Sequence, residues 1–245
     1  MATEELPPAF VDAAAAMPAV LRALLVDGAS TASVHAGEVL QAALPTLPSL
    51  LPVGSASDVL QRPALLSPAS CEALRTAVES GAGLERDTVD GAEDQQLNLS
   101  TEELIDLIGC EAVDAILGAG RELDLKRGGS GRRPLPLVEA FVRRYTPQAR
   151  PWHPFHTDRA AVTVNVAISD DICHRGGRLI GLFDDGASVF ERAEGTATVH
   201  LSRVVHGVTR MLSGTRYSLI CFLGDEPAVR RELVDDEWTR TIVEP

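Results

Sequence analysis

The order of its hydrophobic patterns predicts an α+β fold in which helices buttress a sandwich or barrel of short strands. Two observations carry that expectation: the first half of the chain places apolar residues at helical spacing, and from about Leu135 they fall into short β-branched runs broken by Gly, Asp and Pro. A third excludes the main rival, because strand and helix do not alternate and neither GxGxxG nor a Walker motif is present, as a nucleotide-binding parallel sheet would require.

Taken in order, residues 1–60 are rich in Ala and Leu, and "AVLRALLVDGAS" and "AGEVLQAAL" have helical spacing before "PTLPSLLPVGSAS" breaks it with three prolines and a glycine. This predicts a helical appendage and linker over 1–60, packed against a main domain over 61–228, with a surface tail over 229–245. "SPASCEALRTAVESGA" opens a helix with Ser67 as N-cap and Pro68 in its first turn, and Gly81 stops it. "STEELIDLIG" repeats the signal with Ser100 or Thr101 as cap and acidic residues in the first turn. "CEAVDAILGAGREL" continues the helical period, with Gly118 and Gly120 expected to weaken its end, and "KRGGSGRRP" reads as a solvated basic loop. The strands expected after it are "LVEAFVRRY", "VTVNVAIS", "GRLIGLF", "GTATVHLS" and "TRYSLICFL".

A length of 245 residues with 45% hydrophobic residues can bury a substantial core, and a net charge of -13 disfavours nucleic acid and anionic membranes as partners. The N-terminus is acidic where a signal peptide is basic, and no apolar run approaches the roughly 20 residues of a membrane span. The expectation is a cytoplasmic or otherwise intracellular protein. Cys71, Cys110, Cys173 and Cys221 form no CxxC pair and are expected as reduced thiols in or near the core.

The stretch "HPFHTDRAAVTVNVAIS" carries the chemistry. Side chains at i and i+2 of an extended segment share a face, so His156 and Asp158 present a nitrogen and an oxygen to one point. Two histidines with one carboxylate cap one face of an iron ion and leave positions open, so a distant histidine is required. His174 lies in a connecting loop, which leaves His200 and His206. Beyond Gly214, Arg216, Ser218, Ile220 and Phe222 share one face of the last strand, opposite Tyr217, Leu219, Cys221 and Leu223. A cation on a strand lining an apolar pocket needs an anion, and the planar fork of Arg216 suits a carboxylate, with Ser218 adding a hydrogen bond. Ten residues separate His206 from Arg216, enough for an antiparallel return into the same pocket.

HxD, a distant histidine and an arginine ten residues on resemble the iron(II)- and 2-oxoglutarate-dependent dioxygenases, specifically the prolyl 4-hydroxylase-like group; "FHTDRAAVTVNVAIS" is also similar to lysyl hydroxylases. The resemblance runs from about Ala64 to Leu223 and includes "LLSPASCEALR", "VRRYTPQ", "GGRL" and "HGVTRMLSGTRYSL". It implies a double-stranded β-helix, or jelly roll, with Fe(II) held by His156, Asp158 and His206, while His200 takes a place usually filled by a bulky apolar residue. It also implies 2-oxoglutarate and oxygen as co-substrates and ascorbate as reductant. Arg216 then pairs the far carboxylate of 2-oxoglutarate and Tyr145 assists it. Asn165 and Thr163 share one face of "VTVNVAIS"; either they satisfy each other or Asn165 touches the co-substrate.

The implied activity is hydroxylation of an unactivated C–H, foremost of a prolyl residue in a protein or peptide, with release of succinate and carbon dioxide. A free amino acid or small metabolite is the alternative substrate, and a non-catalytic metal-binding module on the same fold the alternative class. Trp152 and Arg150 are expected at the mouth or in packing, and His153 beside the ligands or exposed. Because the imidazoles must be neutral and Asp158 ionised to bind metal, activity is expected to fall at acid pH.

Overall fold

The β-branched runs become strands because alternate residues face two different environments. The computed structural model describes residues 6–31, 35, 38–39, 42, 54–81, 84–85, 96–128, 135–183 and 186–225. In chain order the strands are β1 (Val59–Arg62), β2 (Leu84–Glu85), β3 (Gln96–Leu99), β4 (Leu137–Tyr145), β5 (His153–His156), β6 (Ala160–Ala167), β7 (Arg175–Gly176), β8 (Leu179–Phe183), β9 (Gly186–Phe190), β10 (Ala197–Leu201), β11 (Val205–Val208), β12 (Met211–Ser213) and β13 (Arg216–Asp225). A large antiparallel sheet has the order β1-β10-β6-β13-β4-β3-β2, and a small one the order β5-β11-β8-β9; β7 and β12 pair separately. From β4 onward the chain passes back and forth between the two sheets. That winding is a double-stranded β-helix, as the resemblance implied.

Three helices cover the outer face of the large sheet: α3 (Pro68–Glu79), α4 (Thr101–Ile108) and α5 (Cys110–Lys126), preceded in the chain by α1 (Pro8–Ala16) and α2 (Ala19–Leu25). Ser67 caps α3 by accepting from the Ser70 amide at 3.1 Å, and Ser100 and Glu103 form a reciprocal capping box on α4. Leu74, Val78, Leu104, Ile116 and Leu123 pack against Val164, Val166, Ile168, Leu219 and Cys221 in one buried cluster. Each such side chain contributes roughly 1.5–3 kcal/mol by leaving water, and the alternation that buries it turns its neighbours inward. Thr163, Asn165, Arg216 and Ser218 therefore face the space between the sheets.

Helix α5 does not weaken at its glycines as the sequence predicted, since it runs on to Lys126. A Cβ at Gly120 would stand 2.4 Å from Leu223 Cδ1, so the missing side chain lets the helix approach the sheet. Two of the four thiols also depart from expectation. Cys71 and Cys221 are buried, but Cys110 and Cys173 are exposed because they sit at a helix start and in a surface turn.

The appendage packs on the other side. Phe10, Leu21, Leu24 and Leu25 cluster with Trp152, Phe155, Ile180, Leu182 and Val205 of the small sheet and its approach, and Phe10 meets the Trp152 ring edge-on at 4.8 Å. Trp152 is thus a packing residue. Most of "AGEVLQAAL", the core of "KRGGSGRRP" and the tail beyond Asp225 lie outside the described residues. Among the described residues, no helix is long and apolar enough to cross a membrane.

Candidate metal centre

Strands β5 and β11 run side by side at one end of the small sheet and place His156 directly opposite His206, with ring centroids 4.3 Å apart. The chain then turns toward β6, and the Asp158 amide bonds the Ser202 carbonyl at 3.1 Å, which fixes the carboxylate beneath the two rings. His156 Nε2 lies 3.4 Å from Asp158 Oδ1 and His206 Nε2 3.7 Å from the same atom. One donor atom from each of the three residues falls within 4.8 Å of the others.

The tautomers follow from the outer partners. His156 Nδ1 lies 2.9 Å from the Pro154 carbonyl and His206 Nδ1 3.0 Å from the Val204 carbonyl. A carbonyl only accepts, so each Nδ1 carries the proton and each Nε2 turns a lone pair inward. Thr163 Oγ1 donates to Asp158 Oδ2 at 2.5 Å, which leaves Oδ1 facing the imidazoles. Burial raises the Asp158 carboxyl, but His206, His156 and His200 outweigh it and hold the group well below the usual carboxylate range. Burial pushes His206 well below an ordinary imidazole, with His156 and His200 adding to the effect against Asp158. Neutral imidazoles and an ionised carboxylate are the states that bind a divalent ion, and this donor set with one open side fits Fe(II).

Further into the fold, Arg216 on β13 stands opposite Tyr145 on β4, its guanidinium centre 4.6 Å from the ring centroid. Arg216 is 1% exposed, yet Nε, Nη1 and Nη2 all lack a hydrogen-bond partner, as does the buried Ser218 Oγ. Desolvation lowers the Arg216 guanidinium, against the opposing influence of Tyr145 and Asp171. A buried cation with so few hydrogen-bond partners is suited to receive an anion.

Asn165 does not pair with Thr163; its Oδ1 accepts from Arg192 Nη1 at 2.9 Å. Arg192 is the residue that sequence reasoning missed. It is buried, Nε and Nη2 have no partner, and burial together with the charge of Arg216 pushes it down to about 9. No local signal marked it, because it lies between the expected strands "GRLIGLF" and "GTATVHLS" with no periodic apolar pattern around it. His153 is buried beside the ligands, 3.4 Å from Arg143 Nη1, with its ring against His156 at 4.5 Å. Arg150 is buried too, with its guanidinium 5.7 Å from the Tyr145 ring centroid. His174 lies apart, with Nε2 3.5 Å from Asp171 Oδ1. His200 stands beside Asp158 but outside the donor group, its Nε2 3.7 Å from Asp158 Oδ2 and its ring 4.5 Å from that of His206.

A single open pocket contains His156, Asp158 and His206 and extends inward to Tyr145, Asn165, Leu179 and Val208. Gln96, Phe141, Arg143, Arg159 and Phe222 also line it.

No protein-family model matches the chain, and neither does any curated protein. Among solved structures, a Pseudomonas putida prolyl-4-hydroxylase is 20% identical, with a TM-score of 0.52 over 78% of this chain and 100% of its own. A Trichoplax adhaerens prolyl hydroxylase in complex with a hypoxia inducible factor oxygen degradation domain peptide is 14% identical, with a TM-score of 0.51 over 78% of this chain and 89% of its own. HygX from Streptomyces hygroscopicus, with nickel and 2-oxoglutarate bound, is 15% identical, with a TM-score of 0.51 over 69% of this chain and 83% of its own. The chain therefore shares the double-stranded β-helix fold of these prolyl hydroxylases and of HygX.

Proposed function

We propose that the domain over 61–228 is an Fe(II)- and 2-oxoglutarate-dependent dioxygenase that hydroxylates an unactivated C–H, with a prolyl residue of a protein or peptide as substrate. The observation that carries this reading is one pocket lined by the His156–Asp158–His206 donor set and by Tyr145, against whose ring lies Arg216, a buried guanidinium with idle donors. A molecule that chelates metal at one end and carries a carboxylate at the other satisfies both. The choice of a prolyl peptide is supported by the two prolyl hydroxylases of the same fold, one of them solved with a peptide.

Bound iron would supply oxygen activation, coupling decarboxylation of 2-oxoglutarate to succinate and carbon dioxide with insertion of one oxygen atom into the substrate C–H. The protein's own residues do the rest. His156, Asp158 and His206 would hold the ion on one face, and Thr163 fixes which carboxylate oxygen turns toward it. Arg216 and Ser218 would fix the far carboxylate, Tyr145 packs against the guanidinium, and Asn165 orients Arg192 beside it. Leu179 and Val208 are apolar residues of the pocket lining and would help keep water from the reacting centre.

The test is succinate formation by purified protein given iron(II), ascorbate and 2-oxoglutarate, with His206→Ala in parallel and proline- or lysine-containing peptides added or withheld. Metal-dependent turnover that is lost in the variant and stimulated by proline peptides is the expected result. Metal and 2-oxoglutarate binding without turnover in any arm would instead assign a non-catalytic module.

A further inference from the structure

The buried guanidiniums of Arg192 and Arg216 have little negative charge around them. Three carboxylates are buried among the described residues: Asp58 pairs with Arg203, Asp158 belongs to the donor set, and Asp171 remains. Asp171 is 5% exposed and opens the short turn Asp171–Cys173 that follows β6. It is stitched to Arg192 in both directions, since its Oδ2 accepts from the Arg192 amide at 3.0 Å and its own amide donates to the Arg192 carbonyl at 3.1 Å. From that fixed backbone the Arg192 side chain reaches Asn165 Oδ1. Toward Arg216 the link is His174. A Cβ at Gly177 would stand 3.3 Å from Arg216 Cδ and 3.5 Å from His174 Nδ1, so this glycine leaves room for both side chains. The same imidazole turns Nε2 to Asp171 Oδ1 at 3.5 Å, an oxygen with no hydrogen-bond partner. Arg178, half-buried, donates to the Asp171 carbonyl at 2.6 Å. Burial raises the Asp171 carboxyl, but His174, Arg192, Arg216 and Arg178 outweigh it and hold the group below the usual carboxylate range.

We infer that Asp171 is the internal counter-ion of the Arg192–Arg216 pair and the positioning residue of Arg192. This rests on the reading that the pair receives the far carboxylate of 2-oxoglutarate. One carboxylate offsets only part of the charge of two buried guanidiniums, so the site still favours one further anion. Asp171 also repels that anion. It therefore keeps the empty site tolerable to the fold while limiting how tightly 2-oxoglutarate is held, and succinate, which keeps the same carboxylate, is limited with it.

Two substitutions separate the roles. Asp171→Asn keeps an acceptor for the Arg192 amide and removes only the charge, whereas Asp171→Ala removes both. The experiment titrates the full chain, loaded with Ni(II) at pH 7, with 2-oxoglutarate in a calorimeter. Asp171→Asn should tighten binding roughly 10-fold, the scale of one unit charge acting over several ångströms at an effective dielectric constant of about 20. Asp171→Ala should weaken it, because Arg192 is no longer held. Arg192→Met should weaken it too, and adding Asp171→Asn to that variant should bring the affinity back toward wild type, a rescue that a merely structural role does not produce. Unchanged or weaker binding in Asp171→Asn, in either background, would overturn the counter-ion and leave the dioxygenase reading intact. Failure of both Asn-bearing chains to fold, read by circular dichroism, would also overturn it by making Asp171 a clamp alone. A Ni(II)-loaded wild type that binds no 2-oxoglutarate would overturn the reading itself and the inference with it.

Discussion

Arg216 and Arg192 place two guanidinium groups inside the β-helix, and burial with the charge of Arg216 lowers the proton affinity of Arg192. On the proposed function, an incoming carboxylate would relieve both desolvation and mutual repulsion. Arg216→Ala should raise the KM for 2-oxoglutarate roughly 10- to 100-fold with a smaller change in kcat, the scale of a charge-assisted hydrogen-bond pair; steady-state kinetics at varied co-substrate reads the split. Arg192 adds a pH signature. It is charged below about 9 and neutral above, so calorimetric affinity for 2-oxoglutarate should fall as pH rises through that value and stay flat in Arg192→Met. The sign for stability is opposite: between about 9 and the ordinary guanidinium range the unfolded chain binds the proton that the folded chain has lost, so this group's contribution to stability rises with pH there. His200→Ala should retain far more succinate formation than His206→Ala, because His206 belongs to the donor set and His200 does not.

At the scale of elements, β7 and β12 form a small clasp beside the anchor, and their approach depends on a residue with no side chain. Gly176 has φ +70°, and a Cβ there would stand 1.9 Å from the Arg210 carbonyl oxygen. Gly176→Ala should cost about 2 kcal/mol or more, from left-handed backbone and a clash with backbone that cannot step aside; the shift in urea midpoint measures it. The strands themselves were legible because Val162, Val164, Val166 and Ile168 alternate with Thr163 and Asn165, and both faces are buried for different reasons. His156 and Asp158 were legible from a two-residue spacing, and Arg216 from sharing a strand face with Ser218. Arg192 was not, because it lies in the connection between β9 and β10, where neither strand nor helix period applies, whereas the choice of His206 over His200 agrees with the donor group. Gly120 misled for a related reason: propensity scored it as a weak helix position, whereas contact with Leu223 decided it.

Across the whole molecule, the helices divide their work between the two sheets. Helices α3, α4 and α5 pack the large sheet from outside, while α1 and α2 pack the small sheet that carries both ligand histidines. The metal centre is thus built on the sheet with the thinner cover. Phe10→Ala should destabilise the fold by about 3 kcal/mol, the usual cost of emptying a buried aromatic site, and shift Trp152 emission to the red as water reaches the indole. Thermal unfolding and fluorescence, with Trp238→Phe as background, test both effects.

Strand β5 has one hydrogen-bonded neighbour, β11, and its other edge pairs with no strand among the described residues. His156 sits at its end. Fraying of a four-residue edge strand is a low-energy opening compared with global unfolding, so an ion held by His156 would have a way out whenever β5 peels from β11. The appendage packs against Phe155 and Val205, which precede the two histidines on their strands, and loosening α1 and α2 should therefore shorten the residence time of such an ion.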